Sequence, residues 1–477
     1  MKNFHLNSGP FVQDKNSTQK IMRHLLISLL PIILFSLFKN GILPFLNNKV
    51  TVLGMLYPLI FILLGPIFTF LIELIYVKIF LKKEDQDLKK YMKSSFSIFP
   101  GLFLALVLPI NTPISVLFFG SIMATVVGKM LFGGFGNNVF NPALIGYLFI
   151  MLIYGPMIAE LGGYLNALEM DAFTTATPLS NIATTQGIGT YDTLVKPYGS
   201  LFNFFIGTIS GSIGETSTVL MIFAFIYLVF FKVIKWKIPV IYIATVFGMT
   251  YVIGTFNDLG IWYPLFQIMS GGLMFGAIFM ATDPVTSPTT PIGQVIYGLF
   301  LGILTVIIRY LTPYPEGVMT SILTLNMAVF IIDKIGSRSR FNFNKSVASF
   351  LVAWILILSL SLYIGQSYKL DVNKGDSGFN IVEKEVKGDT ATYLVTQKGF
   401  SGNIKAQVII SDDIVKSIDI LEINDDYYPR ITQENYVESL ILGQLKIENV
   451  DTISGATITS AAIKNMMINV LKDYRGE

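Results

Sequence analysis

The chain has no cysteine. Disulfides and thiolate-ligated iron–sulfur clusters are therefore excluded within it. Histidine is nearly as scarce, with only His5 and His24, both near the N-terminus, so haem and zinc sites are poorly supplied. Charge is thin as well, at 14% of residues, against about 25% in a soluble globular protein. No G-x-G-x-x-G follows a strand-like run, which argues against a dinucleotide site. No cleavable leader is expected: the first apolar run starts near His24, lacks an A-x-A site and is followed by many more. Redox chemistry, if present, must come from organic cofactors. The competing reading is a transporter, a class that often lacks cysteine and does no redox.

What is plentiful is apolar: 52% of residues are hydrophobic and the mean hydropathy is +0.62. A helix needs about 20 apolar residues to cross a bilayer. Spans are expected near 24–40, 53–80, 96–110, 113–131, 140–159, 203–231, 238–256, 262–281, 292–311, 316–333 and 346–366. The third is short and the sixth long. The sixth opens FNFFIGTISGSIGETS, whose glycines predict a broken or re-entrant segment.

Basic residues predict the orientation. With the N-terminus inside, the inner junctions collect Lys2, Lys15, Lys20, Arg23, Lys82, Lys83, Lys89, Lys90, Lys93, Lys129, Lys232, Lys235, Lys237, Lys334, Arg338, Arg340 and Lys345. The outer ones hold Lys39, Lys49, Lys196 and Arg309. The loop 160–202 and everything after about 367 then lie outside the cytoplasm. The basic loop 82–93 reads as an orientation signal rather than a binding site.

The tail is a different kind of sequence. TATYLVTQ, NIKAQVIIS and IVKSIDILEI alternate like strands, with turn signals between them. QENYVESLILGQ reads as a short helix. In the last helix Ile463, Met466, Met467, Val470 and Leu471 share one apolar face. About 110 residues can hold a small α+β core.

Two short stretches match across the chain: DAFTTAT at 171–177 and DTISGAT at 451–457. Each reads Asp, two variable residues, Ser/Thr, a variable residue, Ala, Thr. The residues are Asp171, Thr174, Thr175, Ala176 and Thr177, then Asp451, Ser454, Gly455, Ala456 and Thr457. SGAT immediately precedes the last helix. A helix N-terminus offers unpaired N–H groups and partial positive charge to a phosphate. Gly455 and Ala456 leave the backbone accessible, and Thr457 presents a hydroxyl. The alternative is that Ser454 or Thr457 simply caps the helix.

The pattern resembles the acceptor motif of flavin transferases, which esterify FMN through its phosphate to the last threonine. The tail, on KGFSGNIKAQVIIS and VDTISGATITSAA, resembles the FMN-binding domain of the G subunit of Rnf complexes and of the C subunit of sodium-translocating NADH:quinone oxidoreductase. It departs at 423–431, where INDDYYPRI stands in place of their H-x-E-T-P-G-like segment. Residues from about 20 to 335 look like the D-type membrane component of Rnf complexes and the related B-type component of that oxidoreductase. The matching stretches are GGFGNNVFNPALIGY, DAFTTATPL, GSIGETS and MATDPVTSPTTPIGQVIYG. The resemblance implies ten membrane helices in two related halves, a covalent FMN at Thr177 and a second, non-covalent flavin (riboflavin) in the membrane.

GGFGNNVFNP and ATDPVTSPTTP join apolar spans although they are rich in Gly, Pro, Asn and Thr. Irregular backbone at membrane depth survives only where protein or a water-filled cavity satisfies it. Asn137, Asn141, Asp283 and Thr286 are candidates there for a flavin, ion or partner contact, against a reading as ordinary caps of helix-breaking turns. Glu73 and Glu215 fall within expected spans, where a carboxylate is costly and by default a functional candidate for a proton or cation. For Glu73 a structural ion pair with Lys78, a turn on, is the rival.

The whole reads as a fusion: a polytopic α-helical membrane protein with a C-terminal extracytoplasmic α+β domain. Residues 1–345 form a D-type membrane domain, 346–366 a tethering transmembrane helix, 367–388 a linker and 389–477 the FMN-binding domain. The expected function is that of a plasma-membrane flavoprotein subunit in an Rnf/Nqr-like, ion-translocating electron-transport complex, with two covalent FMN groups. The resemblance implies partner subunits carrying iron–sulfur or nucleotide sites and a flavin transferase; membrane lipid is a partner, nucleic acid is not. The rivals are a flavin conduit to an external acceptor without ion pumping, and a urea-transporter-like solute channel with an attached sensor domain.

Overall fold

The computed structural model describes residues 17–160, 178–179, 188–215, 217–312, 317–339, 357, 359–366, 379–387, 390–398, 403–411, 414–423, 431–432, 435–442 and 457–475. The apolar runs form helices in the expected order. α1 (Thr18–Leu46) and α2 (Val52–Ile79) are long and apolar enough to cross a membrane. Both start at a hydroxyl cap: Ser17 accepts from Lys20 N, and Thr51 from Gly54 N. The amphipathic α3 (Asp85–Ser95) keeps Lys89, Lys90 and Lys93 exposed. It stops where Phe96 turns left-handed at φ 51°. α4 (Ile98–Val107) is ten residues long, about 15 Å, half of a hydrocarbon core. The chain continues without helix through 108–113 into α5 (Ile114–Phe132) and then α6 (Pro142–Glu160).

The second half repeats these devices. α7 (Leu201–Ile206) and α8 (Thr218–Phe230) are the expected broken sixth segment. α9 (Lys237–Thr255) follows. α10 (Trp262–Met269) and α11 (Leu273–Met280) meet at a bend of 66°. α12 (Pro291–Leu311) and α13 (Val318–Ser339) complete the set. Of the eleventh expected segment only 357 and 359–366 are described. Ile357 and Ile364 are buried in the membrane core, and Gly365 lies against Phe256 at the end of α9.

Small residues let the helices touch. A Cβ on Gly101 of α4 would lie 2.0 Å from the Gly65 carbonyl oxygen of α2, and one on Gly65 would lie 2.2 Å from the Gly101 oxygen. The interruptions satisfy one another. Gly214 N donates to Leu106 O at 2.7 Å and Ile213 N to Leu108 O at 3.1 Å, so the break 207–217 pairs with the end of α4.

Buried cations take up the carbonyl ends, which carry partial negative charge. Lys39, in a π-helical turn of α1 (Phe38–Ile42), donates to Ile209 O beyond α7. Arg309 Nη1 reaches Gln267 O at 2.6 Å, and Nη2 reaches Ser270 O at 3.3 Å, at the end of α10. Lys129 Nζ donates to Ser95 O at 2.7 Å at the end of α3. By sequence position all three count as orientation charges. They are 2%, 2% and 1% exposed, so they hold the fold together and do not mark a loop.

The tail folds on a core of its own. Strands β1 (Asn380–Lys387), β2 (Thr390–Lys398), β3 (Asn403–Ser411) and β4 (Ile414–Ile423) form an antiparallel sheet in sequential order. Ile404, Ala406, Val408 and Ile410 of β3 are buried against Ile463, Met466, Met467, Val470 and Leu471 of the last helix, the apolar face the spacing predicts. The helices are α14 (Tyr436–Leu442) and α15 (Thr457–Arg475). β1 lies inside the stretch expected to be linker. A bulge between Ile381 and Glu383 breaks its alternation, and its Ile381, Val382 and Val386 are exposed, so no period-2 signal marks it. Lys384 of β1 pairs with Asp473 of α15 at 2.7 Å.

Candidate functional site

The two polar loops meet. Each follows a π-helical turn, Met123–Val127 or Gly276–Met280, a distortion that clusters at functional sites. Each ends at a capped helix that begins with proline. Asn141 Oδ1 accepts from Ala143 N at 3.1 Å, and Thr290 Oγ1 accepts from Gly293 N at 3.2 Å. Between the loops, the start of α4 and the ends of α5 and α11 enclose a cleft of about 620 Å³, its open mouth included. Phe96, Phe99, Phe103, Phe135 and Phe279 supply apolar walls; Asn138, Asn141, Thr282, Asp283 and Lys129 supply the polar groups.

Asn141 and Asp283 both line this cleft. Thr286 stands behind Asp283, donating Oγ1–H to Oδ2 at 2.9 Å. Burial raises the Asp283 carboxyl above its ordinary range, partly offset by the bonds from Thr286 and from the Val285 and Thr286 backbone. With its amide oriented to pair both loops, Asn326 of α13 accepts from Asn141 N at 3.1 Å and donates to Thr286 O at 3.3 Å. Asn137 is not part of the cleft: it is exposed and donates to Gly133 O at 3.4 Å. Its neighbour Asn138 lines the cleft instead and is fixed by a bond from Nδ2 to Phe140 O at 3.1 Å.

Lys129 lines the cleft, although its sequence position marks it only as a loop charge. Its Nζ lies 2.7 Å from Glu73 Oε2 and 2.8 Å from Ser95 Oγ, and Ser95 Oγ–H in turn bonds Glu73 Oε1. Glu73 is fully buried, so its partner is Lys129, fifty-six residues away, and not Lys78. A carboxylate and an ammonium in two expected spans are a signal that they could meet.

Glu215 sits elsewhere. It is buried beside the α10–α11 break, where a Cβ on Gly272 would lie 2.6 Å from its Oε1. The eight residues of α11, about 12 Å of helix, separate that break from the cleft, and Phe275, Phe279 and Phe103 cluster along it with ring centroids 5.0–6.2 Å apart. Asp171, Thr174, Thr175, Ala176 and Thr177 lie outside the described residues. So do Asp451, Ser454, Gly455 and Ala456. Thr457 is the first residue of α15, whose Thr459 and Ser460 are buried.

A cleft with aromatic walls, framed by interrupted membrane helices, and a separate α+β domain with a threonine at a helix start are the parts of a membrane flavoprotein. The chain belongs to the family described as NQR2, RnfD, RnfE, whose model matches residues 5–342, and residues 399–472 match the FMN-binding domain. It is thus a D-type membrane protein of the Rnf class fused to an FMN-binding domain.

Among its relatives is the RnfD-type component of the proton-translocating ferredoxin:NAD(+) oxidoreductase complex of Clostridium ljungdahlii. The two are 37% identical over 336 residues, 69% of this chain and 94% of the relative. The corresponding component of the Na(+)-translocating ferredoxin:NAD(+) oxidoreductase complex of Acetobacterium woodii is 32% identical over 336 residues, 70% and 93% of the two chains. That of an ion-translocating oxidoreductase complex of Alcanivorax borkumensis is 27% identical over 340 residues, 69% and 93%.

Proposed function

We propose that this chain is a redox subunit of an Rnf/Nqr-like ion-translocating complex in the plasma membrane. It carries FMN esterified at Thr177 and at Thr457, both on the extracytoplasmic side, and a non-covalent flavin of the riboflavin class in the cleft on the cytoplasmic side. The single observation that carries this reading is the match of the tail to FMN-binding domains on the same chain as a D-type membrane domain. A bound flavin supplies reversible electron transfer; the protein positions it and sets its surroundings.

Residues of the chain divide the work. Phe99, Phe103 and Phe279 form walls for a ring system, and Asn138 and Asn141 offer amides at its edge. Lys129, neutralised by Glu73 and held by Ser95, braces the wall of the cleft. The backbone N–H groups at the start of α15 would hold an ester phosphate on Thr457. The names of the relatives suggest ferredoxin and NAD(+) as the outer redox partners. Subunits with iron–sulfur and nucleotide sites would handle both, and a flavin transferase would load the threonines. Fusion keeps the second FMN near the first at high effective concentration.

The test is in-gel flavin fluorescence after denaturation, in a host with a flavin transferase. Thr177→Ala and Thr457→Ala each halve the signal, and the double variant abolishes it. Fluorescence that survives in the double variant removes the covalent reading. For the cleft, Asn141→Ala releases the acid-extractable flavin while leaving the covalent bands; unchanged extractable flavin removes that site.

A further inference from the structure

The buried face of β2 carries Ala391, Tyr393, Val395 and Gln397. The first three belong to the apolar core under α15, and the fourth ends in an amide. Gln397 is 4% exposed and stands opposite Ile404 of β3, which is fully buried. Its Oε1 has no hydrogen-bond partner among the described residues. An amide oxygen taken out of water without a partner is destabilising, and native proteins rarely leave such a group without a role. α15 packs on β2 and β3, and Asp473 in its last turn pairs with Lys384, which stands opposite Tyr393. From Tyr393, β2 extends about 17 Å toward Lys398 but about 10 Å toward Thr390. α15 needs about 24 Å to run back from Asp473 to Thr457. Its first turns, whose Thr459 and Ser460 are buried, therefore lie over the Gln397 end of the strand.

We propose that Gln397 determines ring binding in the tail: its amide takes the pyrimidine edge of the isoalloxazine of the FMN carried by Thr457. This rests on the reading of Thr457 as an attachment site. The unpaired atom is an acceptor, and that decides between the parts of the cofactor. An ester phosphate offers only acceptor oxygens, which suit the N–H groups of a helix start and repel a carbonyl oxygen. The ring offers an imide, an N–H between two carbonyl oxygens. A carboxamide complements that edge with two parallel hydrogen bonds: Oε1 accepts from the ring N3–H, and Nε2 donates to a ring carbonyl oxygen. The fit survives turning the amide over, because the imide carries an acceptor on either side of its N–H. Val395 and Ile404, the buried neighbours of Gln397 along and across the sheet, keep out water that would compete for the amide. Gln397 is a binding group; it moves neither electrons nor protons.

The experiment is a cycle in the full chain, matured with a flavin transferase in a Thr177→Ala background, so that Thr457 carries the covalent flavin. The stability of the tail is read as its urea midpoint, by pulse proteolysis with an antibody to the tail. Gln397→Met nearly conserves side-chain volume and removes the amide. Without the flavin, with Thr457→Ala added, Gln397→Met is expected to raise the midpoint, because an unpaired buried amide is gone. With FMN attached it is expected to lower the midpoint, while the covalent fluorescence band keeps the intensity it has with Gln397. Midpoint shifts that agree in the two backgrounds overturn the role of Gln397 and leave the attachment standing. So does a flavin-free Gln397→Met chain whose tail unfolds early or fails to fold. A Thr177→Ala chain without a covalent band overturns the attachment reading, and this proposal with it.

Discussion

At the scale of single residues, the deciding feature is where the buried charges go. Lys129 and Glu73 are far apart in sequence and read separately there, one as a loop cation and one as a partner of Lys78. Folding makes them one buried pair braced by Ser95. Removing one member of such a pair leaves an uncompensated charge and costs about 3–5 kcal/mol. Glu73→Gln is expected to lower the thermal midpoint in detergent sharply, and Glu73→Gln combined with Lys129→Met to recover most of the loss. A single variant as stable as the parent refutes the pairing. Asn141→Ala removes the cap of α6 and is expected to cost about 1 kcal/mol, measured in the same melt. Asn138 and Asn137 are indistinguishable in a sequence, because a turn decides which of two adjacent amides faces inward.

For the elements, close approach and ion pairing at their ends matter most. Gly65 and Gly101 read from sequence only as small residues in apolar runs, yet they set how near α2 and α4 lie. Gly101→Ala drives a methyl into the Gly65 carbonyl and is expected to cost about 1–3 kcal/mol by overpacking. Ala at the spacious Gly155, where a Cβ meets nothing within 4 Å, is the control and is expected to melt with the parent. In the tail, the bond to Lys384 holds the Asp473 carboxyl below its usual range, and the same bond raises Lys384. A depressed carboxylate stabilises the fold above its unfolded value, about 3.9, and loses that contribution as pH falls through the folded value. A raised lysine stabilises below about 10.4 and loses it as pH rises through its own. Both groups are well exposed, so the pair is worth under about 1 kcal/mol. Asp473→Asn is therefore expected to melt slightly early at pH 7 and together with the parent once pH is well below 4, by differential scanning fluorimetry.

On the scale of the molecule, two separate cores predict two separable units. A fragment beginning before β1, near residue 367, is expected to fold alone and to take up FMN at Thr457. One beginning at 389 loses an edge strand and is expected to be less stable; urea melts of the two fragments compare them. Proteolysis of right-side-out vesicles is expected to release the tail, and protection there with cleavage in inverted vesicles reverses the orientation.

The amino-acid sequence by itself determined the apolar segments, the break in the sixth, the alternating strands β2 to β4, the face of α15 and the two threonine motifs. Each of these is written in local period or spacing, and local backbone physics reads such patterns directly. Only the tertiary structure decided that Lys39, Lys129 and Arg309 serve as caps for interrupted backbone, that Glu73 belongs to Lys129 and that Asn138 replaces Asn137 in the cleft. Those outcomes depend on which broken ends meet in a medium without water. There an unpaired carbonyl must find a donor from another part of the chain, and sequence distance carries no record of that choice.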